Sequence, residues 1–349
     1  MKVLGLITSP IDPASRARIL QYIAPLEKNN IIVTPRYFKP TSYANPEKWA
    51  YQLNKITRIN EWRLLDIQRK IKRMPLLWEQ FKYDLIWQNR LILQKHSFFE
   101  KNISKPKIFD IDDAIWVYDG KKKVSDAIKR AHRIFAGNEY LANFANKYNK
   151  NITIIPSVIN TEKLYPIKKQ SNPFTIGWIG STFNFAFLNI IKPAVISFLS
   201  KYKESRFIII SSEPPKCFNF DNQRIIFKRW SDKEENEHIA EFSIGLMPIK
   251  ENEFTRGKCS YKMLQYMACG IPPVVSPVGM NNKILSQKTI GLAANSTEEW
   301  ISAFERFKHD EYFYHTCAVN CRILIENNYA LNKLVPIVSE LLKSTLISK

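Results

Sequence analysis

Leu164-Tyr165-Pro166-Ile167-Lys168-Lys169-Gln170-Ser171-Asn172-Pro173-Phe174-Thr175-Ile176-Gly177-Trp178-Ile179-Gly180 is the stretch on which the fold turns. Its first ten residues are polar and proline-bounded, the composition of a linker, and Phe174 then opens an apolar run that ends in glycine. The same grammar opens the chain, where Val3-Leu4-Gly5-Leu6-Ile7 runs into Thr8-Ser9-Pro10 and an amphipathic helix over about 15–28. Short apolar runs recur at 31–33, 85–87, 107–110, 133–136 and 152–156, and after the linker at 206–210, 223–227, 244–248 and 273–276. Strands alternating with helices predict two doubly wound, Rossmann-like α/β domains, 1–165 and 166–330, with 331–349 a C-terminal helix expected to pack back on the first.

The chain has 349 residues, long enough for two domains, and 45% of them are hydrophobic, which excludes long disordered arrays. Lys and Arg outnumber Asp and Glu by 52 to 32, a net charge of +20. The excess is mostly N-terminal: residues 1–165 hold 29 basic and 15 acidic side chains, and residues 166–349 hold 23 and 17. Such a field attracts polyanions, whether nucleic acid, anionic lipid or phosphorylated small molecules. No apolar run approaches the roughly 18 to 20 residues of a spanning helix, and Met1 leads straight into a strand, so a cytoplasmic protein or one on a membrane's inner face is expected. Five cysteines without a Cys-x-x-Cys pair, and histidines without ligand spacing, argue against a disulfide framework and against a metal site.

The most informative chemistry lies in Arg256-Gly257-Lys258-Cys259-Ser260-Tyr261-Lys262-Met263-Leu264-Gln265-Tyr266-Met267-Ala268-Cys269-Gly270-Ile271-Pro272. It reads as a loop and a helix over about 260–268, stopped by Gly270 and Pro272. Arg256, Lys258 and Lys262 crowd the helix's N-terminal end, where the dipole disfavours cations unless an anion binds among them. A diphosphate site and a solvated basic loop both fit that pattern. In the first half, Asp110-Ile111-Asp112-Asp113 ends a strand, so its carboxylates could bind sugar hydroxyls, take an acceptor proton, hold a metal, or merely cap the next helix. Trp62 to Trp78 combines apolar positions with a basic face, which suits an interfacial helix or one packed on its own sheet, with Pro75 interrupting the pattern.

These stretches, in this order, resemble the retaining GT-B glycosyltransferases of the glycogen-synthase-like group, which includes bacterial polysaccharide, capsule and lipopolysaccharide enzymes. The resemblance rests on Ser15-Arg16-Ala17-Arg18, Asp110 to Trp116, Ala136-Gly137-Asn138-Glu139, Ile176 to Ser181, Ile244 to Pro248 and Arg256 to Gly279, and spans nearly the whole chain. It implies two Rossmann-like domains facing across a cleft and sugar transfer, with retention and without a metal or other cofactor, from a nucleotide-sugar to a lipid-linked or saccharide acceptor. Gly180, Ser181, Arg256, Lys258, Lys262 and Gln265 are the implied donor contacts, with Lys262 on phosphate. Ser15, Arg18 and Asp110 are the implied acceptor contacts, and Asp112 and Asp113 the catalytic carboxylates. The chain departs from the family where two glutamates usually stand eight residues apart, for Gly257 and Gln265 occupy those positions. A catalytically degenerate sugar-binding relative is the alternative that Gly257 favours. A basic nucleic-acid-binding protein is the other, against which stands the lack of a reading motif, so no nucleic-acid partner is expected. An anionic membrane surface is a further expected partner.

Overall fold

The computed structural model describes residues 1–37, 52, 55, 60–93, 98–168 and 173–347. The chain divides into two units, Met1–Ser157 with Leu334–Lys349, and Val158–Lys333. Each is a parallel six-stranded sheet wound on both faces.

In the first unit the strands are β1 (Lys2–Ile7), β2 (Ile32–Tyr37), β3 (Leu85–Asn89), β4 (Lys107–Ile111), β5 (Arg133–Ala136) and β6 (Ile152–Ile154), in the order β2-β1-β3-β4-β5-β6. Residues of β3 and β4 are buried throughout, as near-continuous apolar runs in a two-faced sheet should be. The amphipathic helix expected over 15–28 is broken into Pro13–Arg18, a 3-10 turn Leu20–Tyr22 and Ile23–Glu27, because Ile19 leaves helical geometry at φ −127°.

The second unit comprises β7 (Thr175–Ile179), β8 (Arg206–Ser211), β9 (Ile225–Arg229), β10 (Ile244–Met247), β11 (Pro273–Val275) and β12 (Leu292–Ala293), in the order β12-β11-β10-β7-β8-β9. This is the dinucleotide-fold order, with the chain crossing back between β9 and β10. The two-residue β12 was not legible in the sequence.

The boundary falls at Ser157–Val158, ahead of the polar linker segment. Residues before and at the start of that segment are tied to the second unit by hydrogen bonds that composition does not reveal. Ile159 N–H donates to the Tyr329 carbonyl at 2.8 Å, Leu331 N–H to Ile159 at 2.9 Å, and Tyr165 N–H to Asn236 Oδ1 at 3.0 Å. At the other end of the chain, Leu334–Lys349 groups with the first unit, where Arg133 Nε donates to Thr345 Oγ1 at 3.0 Å.

One helical stretch, Thr182–Lys201, is long and apolar enough to cross a membrane by length and composition, contrary to the sequence expectation. Leu188, Ile191, Ala194, Val195, Phe198 and Leu199 on this helix are buried in the second unit's core beside Trp178, Phe207 and Phe304. That face of the helix packs into the core.

Candidate functional site

In open α/β sheets ligands bind outside the carboxyl ends of the strands, where the winding reverses. In the second unit that point lies between β7 and β10. The two strands pair only at Ile176 with Ile244 and Gly177 with Gly245, and beyond that level they part. Tyr266 fills the gap: its hydroxyl accepts from Ile179 N–H at 3.1 Å and donates to the Leu246 carbonyl at 3.0 Å. Burial pushes that hydroxyl's pKa far up, so it stays a neutral donor. Tyr266 thereby fixes the rotation of its helix, Tyr261–Ala268, and one turn earlier on the same face stands Lys262.

Lys262 lies against Gly180, the residue that follows β7. A Cβ on Gly180 would sit 2.6 Å from Lys262 Cε and 2.6 Å from the Trp178 ring, so glycine is required by close approach. The Lys262 ammonium is 5.9 Å from the Trp178 ring centroid. Gly180 N–H donates to the Ile210 carbonyl at 3.0 Å, and Ser181 Oγ accepts from Asn184 at 3.0 Å. The N-cap side chain makes no bond to the helix's first turn. Ser260, at the cap position with φ +55°, donates instead to Asn281 Oδ1 at 2.6 Å. An uncapped helix start with a lysine at its first turn is an anion-binding arrangement.

The other cations are distributed differently from the sequence expectation. Arg256 ends a short helix, Glu253–Arg256, and pairs with Glu251 at 2.9 Å, both side chains more than half exposed. Lys258 Nζ lies 4.7 Å over the Phe254 ring. Gly257 is the buried C-cap of the Glu253–Arg256 helix, and Gln265 is buried. Gly279, at φ +54°, brings its loop so close that a Cβ would stand 2.8 Å from the Arg256 carbonyl oxygen.

In the first unit the winding reverses between β1 and β3. Three expected acceptor residues are buried within this unit. Ser15, Arg18 and Asp110 are 0%, 2% and 0% exposed. Asp110 accepts from Arg18 Nε at 2.8 Å and Trp87 Nε1 at 3.0 Å, and Arg18 donates again to the Ile155 carbonyl at 2.6 Å. Ser15 Oγ accepts from Thr8 N–H and donates to Asp12, each at 3.2 Å. Each of these side chains thus makes hydrogen bonds within the first unit. Burial pushes the Asp110 pKa up to about 6 against the pull of Arg18.

Asp112 and Asp113 emerge beyond β4, 12% and 19% exposed, and meet a residue that the sequence reading passed over. Arg90 Nε donates to Asp112 Oδ1 at 3.0 Å, and its NH2 group donates to Asp112 Oδ2 at 3.2 Å and Asp113 Oδ2 at 2.7 Å. Arg90 follows β3 in the left-handed region, φ +61°, with its N–H on the Asp110 carbonyl at 3.0 Å. Burial works to raise the Asp112 pKa, but the Arg90 guanidinium outweighs it and holds the carboxyl below the usual range. The next helix, Trp116–Asp119, starts from Ile115 without a side-chain cap. Among the described residues, no three His, Cys, Asp or Glu side chains converge as a metal-ligand set. His96 lies outside the described residues. Cys317 and Cys321 are buried, and burial pushes the Cys317 thiol up to about 11.

Residues 173–310 match the family described as Glycosyl transferases group 1. Over the whole chain the fold is similar to that of sucrose-phosphate synthase from Thermosynechococcus elongatus, with a TM-score of 0.74 at 11% identity and 100% of each chain covered. It is also similar to Anabaena HepE, solved with UDP and glucose, at TM-score 0.70 and 14% identity over 99% of this chain and 100% of that one. A glycosyltransferase from Rickettsia africae matches at TM-score 0.64 and 10% identity, over 99% of this chain and 98% of that one. No curated protein matches the chain. The chain thus has the GT-B fold, two doubly wound α/β units, and the glycosyl transferases group 1 match falls within the second of them.

Proposed function

We propose that this chain is a retaining, metal-independent glycosyltransferase. It moves a sugar from a nucleotide-sugar to a lipid-linked or oligosaccharide acceptor, in bacterial surface-glycan synthesis at the inner face of the membrane. The observation that carries the reading is the corner formed by Gly180, Lys262 and the uncapped start of the Tyr261–Ala268 helix at the β7–β10 switch point. Glycine admits a phosphate close to the backbone, the helix start offers N–H groups, and Lys262 offers a mobile positive charge. Together they would stabilise the charge that builds on a departing diphosphate, the task a metal performs elsewhere. HepE was solved with UDP-glucose, which makes a uridine nucleotide the first donor to test. Asp112 and Asp113 are the proposed catalytic carboxylates, positioned by Arg90 so that they can stabilise an oxocarbenium-like transition state.

The test begins with calorimetric titration of UDP and other nucleoside diphosphates. Turnover of a nucleotide-sugar panel with lipid-linked acceptors follows, before and after exhaustive EDTA treatment. Nucleotide binding and EDTA-resistant turnover with retained anomeric configuration are expected. Turnover lost to EDTA and restored by Mn²⁺ would overturn the metal-independent mechanism, and absence of nucleotide binding would overturn the donor site. Binding without turnover would favour the degenerate relative, for which Gly257, lacking a side chain at a usual glutamate position, is the argument.

A further inference from the structure

The first unit carries an apolar ridge that its own core leaves in solvent. Ile67, Ile71, Met74, Trp78 and Phe81 are spaced four, three, four and three residues apart, so they line one face of the helical run from Glu61 to Lys82. They are 47%, 64%, 36%, 65% and 61% exposed. The inner face of the same run is already satisfied: Leu76 and Leu77 pack with Tyr83, Ile86 and Leu4, and Gln80 Nε2 donates to the Leu77 and Asn102 carbonyls at 2.8 and 3.3 Å. The outer ridge is therefore a second apolar face, with a shallow groove of about 530 Å³ lined by Ile71, Met74, Pro75, Trp78, Glu79 and Lys82. Arg63 and Lys82 are exposed beside it, and Lys70 is 41% exposed while paired with Asp66 at 2.9 Å. The Trp62 side chain lies outside the described residues.

We propose that this ridge docks the protein on an anionic lipid bilayer, with Ile71, Trp78 and Phe81 entering the headgroup boundary and Arg63, Lys70 and Lys82 pairing with lipid phosphates. The inference deepens the membrane placement in the reading above and rests on it for that placement alone. Charge complementarity chooses the occupant. Long-stemmed cations flank a linear apolar ridge that carries a tryptophan, the composition of an interfacial helix. The basic excess extends over the whole N-terminal half, 29 basic against 15 acidic side chains in residues 1–165, which matches an extended anionic plane better than one acidic protein patch.

The experiment is sedimentation of the full chain with vesicles of phosphatidylcholine, with and without phosphatidylglycerol, at low and high salt. Binding that requires phosphatidylglycerol and falls with salt is expected. The double variant Ile71→Ser/Trp78→Ser should lose at least tenfold in binding, and Arg63→Gln/Lys70→Gln/Lys82→Gln on the order of a hundredfold, from roughly fivefold per cation. All five positions are exposed or half-exposed, so both variants should keep the parent thermal transition and nucleotide affinity. Unchanged vesicle binding in either variant overturns the proposal. So does failure of the parent to bind while it binds polyglutamate, which would assign the ridge to an acidic protein. Loss of docking with nucleotide binding intact refutes only the ridge. Absent nucleotide binding in a parent that docks refutes only the donor site.

Discussion

Lys262 and Gly180, from different elements of the second unit, occupy one corner: a Cβ on Gly180 would lie 2.6 Å from the lysine's Cε. The lysine stem can swing aside, but the Trp178 ring, equally close and 1% exposed, cannot. Gly180→Ala should therefore cost about 1 to 3 kcal/mol of stability through overpacking. It should also weaken nucleotide binding by displacing Lys262. Urea unfolding and calorimetry measure the two effects separately. An alanine variant as stable as the parent would mean that Trp178 yields.

The three cations near the helix start should separate on mutation. Lys262→Ala removes a charge-assisted bond to phosphate and should weaken nucleoside-diphosphate binding by about 1.5 to 3 kcal/mol. Arg256 is exposed and already paired with Glu251, so Arg256→Ala should stay within about 0.5 kcal/mol of the parent. Equal losses in the two variants would return the site to a diffuse basic loop.

Most strands were legible because they carry a short run of Val, Ile, Leu or Phe closed by a polar or turn residue, as in Phe207-Ile208-Ile209-Ile210. What escaped was pairing across the chain. Arg90 was passed over although it follows β3 directly, and adjacent parallel strands bring their carboxyl ends together. Placing Asn89-Arg90 beside Asp110 to Asp113 would have suggested the clamp. Tyr266 was read only as part of a helix, since nothing local shows that two strands part where its hydroxyl arrives. Arg18 and Asp110 show the limit of periodicity, which does not distinguish a polar group facing a ligand from one facing another buried polar group. The domain boundary moved because Ile159 bonds to Tyr329, which composition cannot reveal.

The Arg90–Asp112 pair should leave a signature in acid. Arg90 lowers the folded-state pKa of Asp112, so the pair's stabilisation is fully present above the unfolded carboxyl's pKa of about 3.9 and is lost as pH falls through the lower folded value. Urea midpoints should therefore drop less steeply below about pH 4 in Asp112→Asn than in the parent. Identical pH slopes would mean that the guanidinium does not hold this carboxylate in solution.

The carboxylates themselves provide the test that best separates an enzyme from its rivals. Asp112 and Asp113 lie in the first unit and Lys262 in the second, so chemistry and donor anchoring should respond to different mutations. Asp112→Asn and Asp113→Asn keep side-chain size and remove charge, and each should lower kcat by at least about tenfold while nucleotide affinity stays near the parent's. Because Arg90 bonds to both, either variant leaves the guanidinium one carboxylate partner, which should limit the loss of stability to about 1 to 3 kcal/mol. Arg90→Lys supplies the control: it keeps a positive charge but cannot reproduce the fork that spans both aspartates. If positioning matters, kcat should fall in Arg90→Lys with nucleotide affinity unchanged. Normal turnover in all three variants would reduce the acidic cluster to a structural clamp.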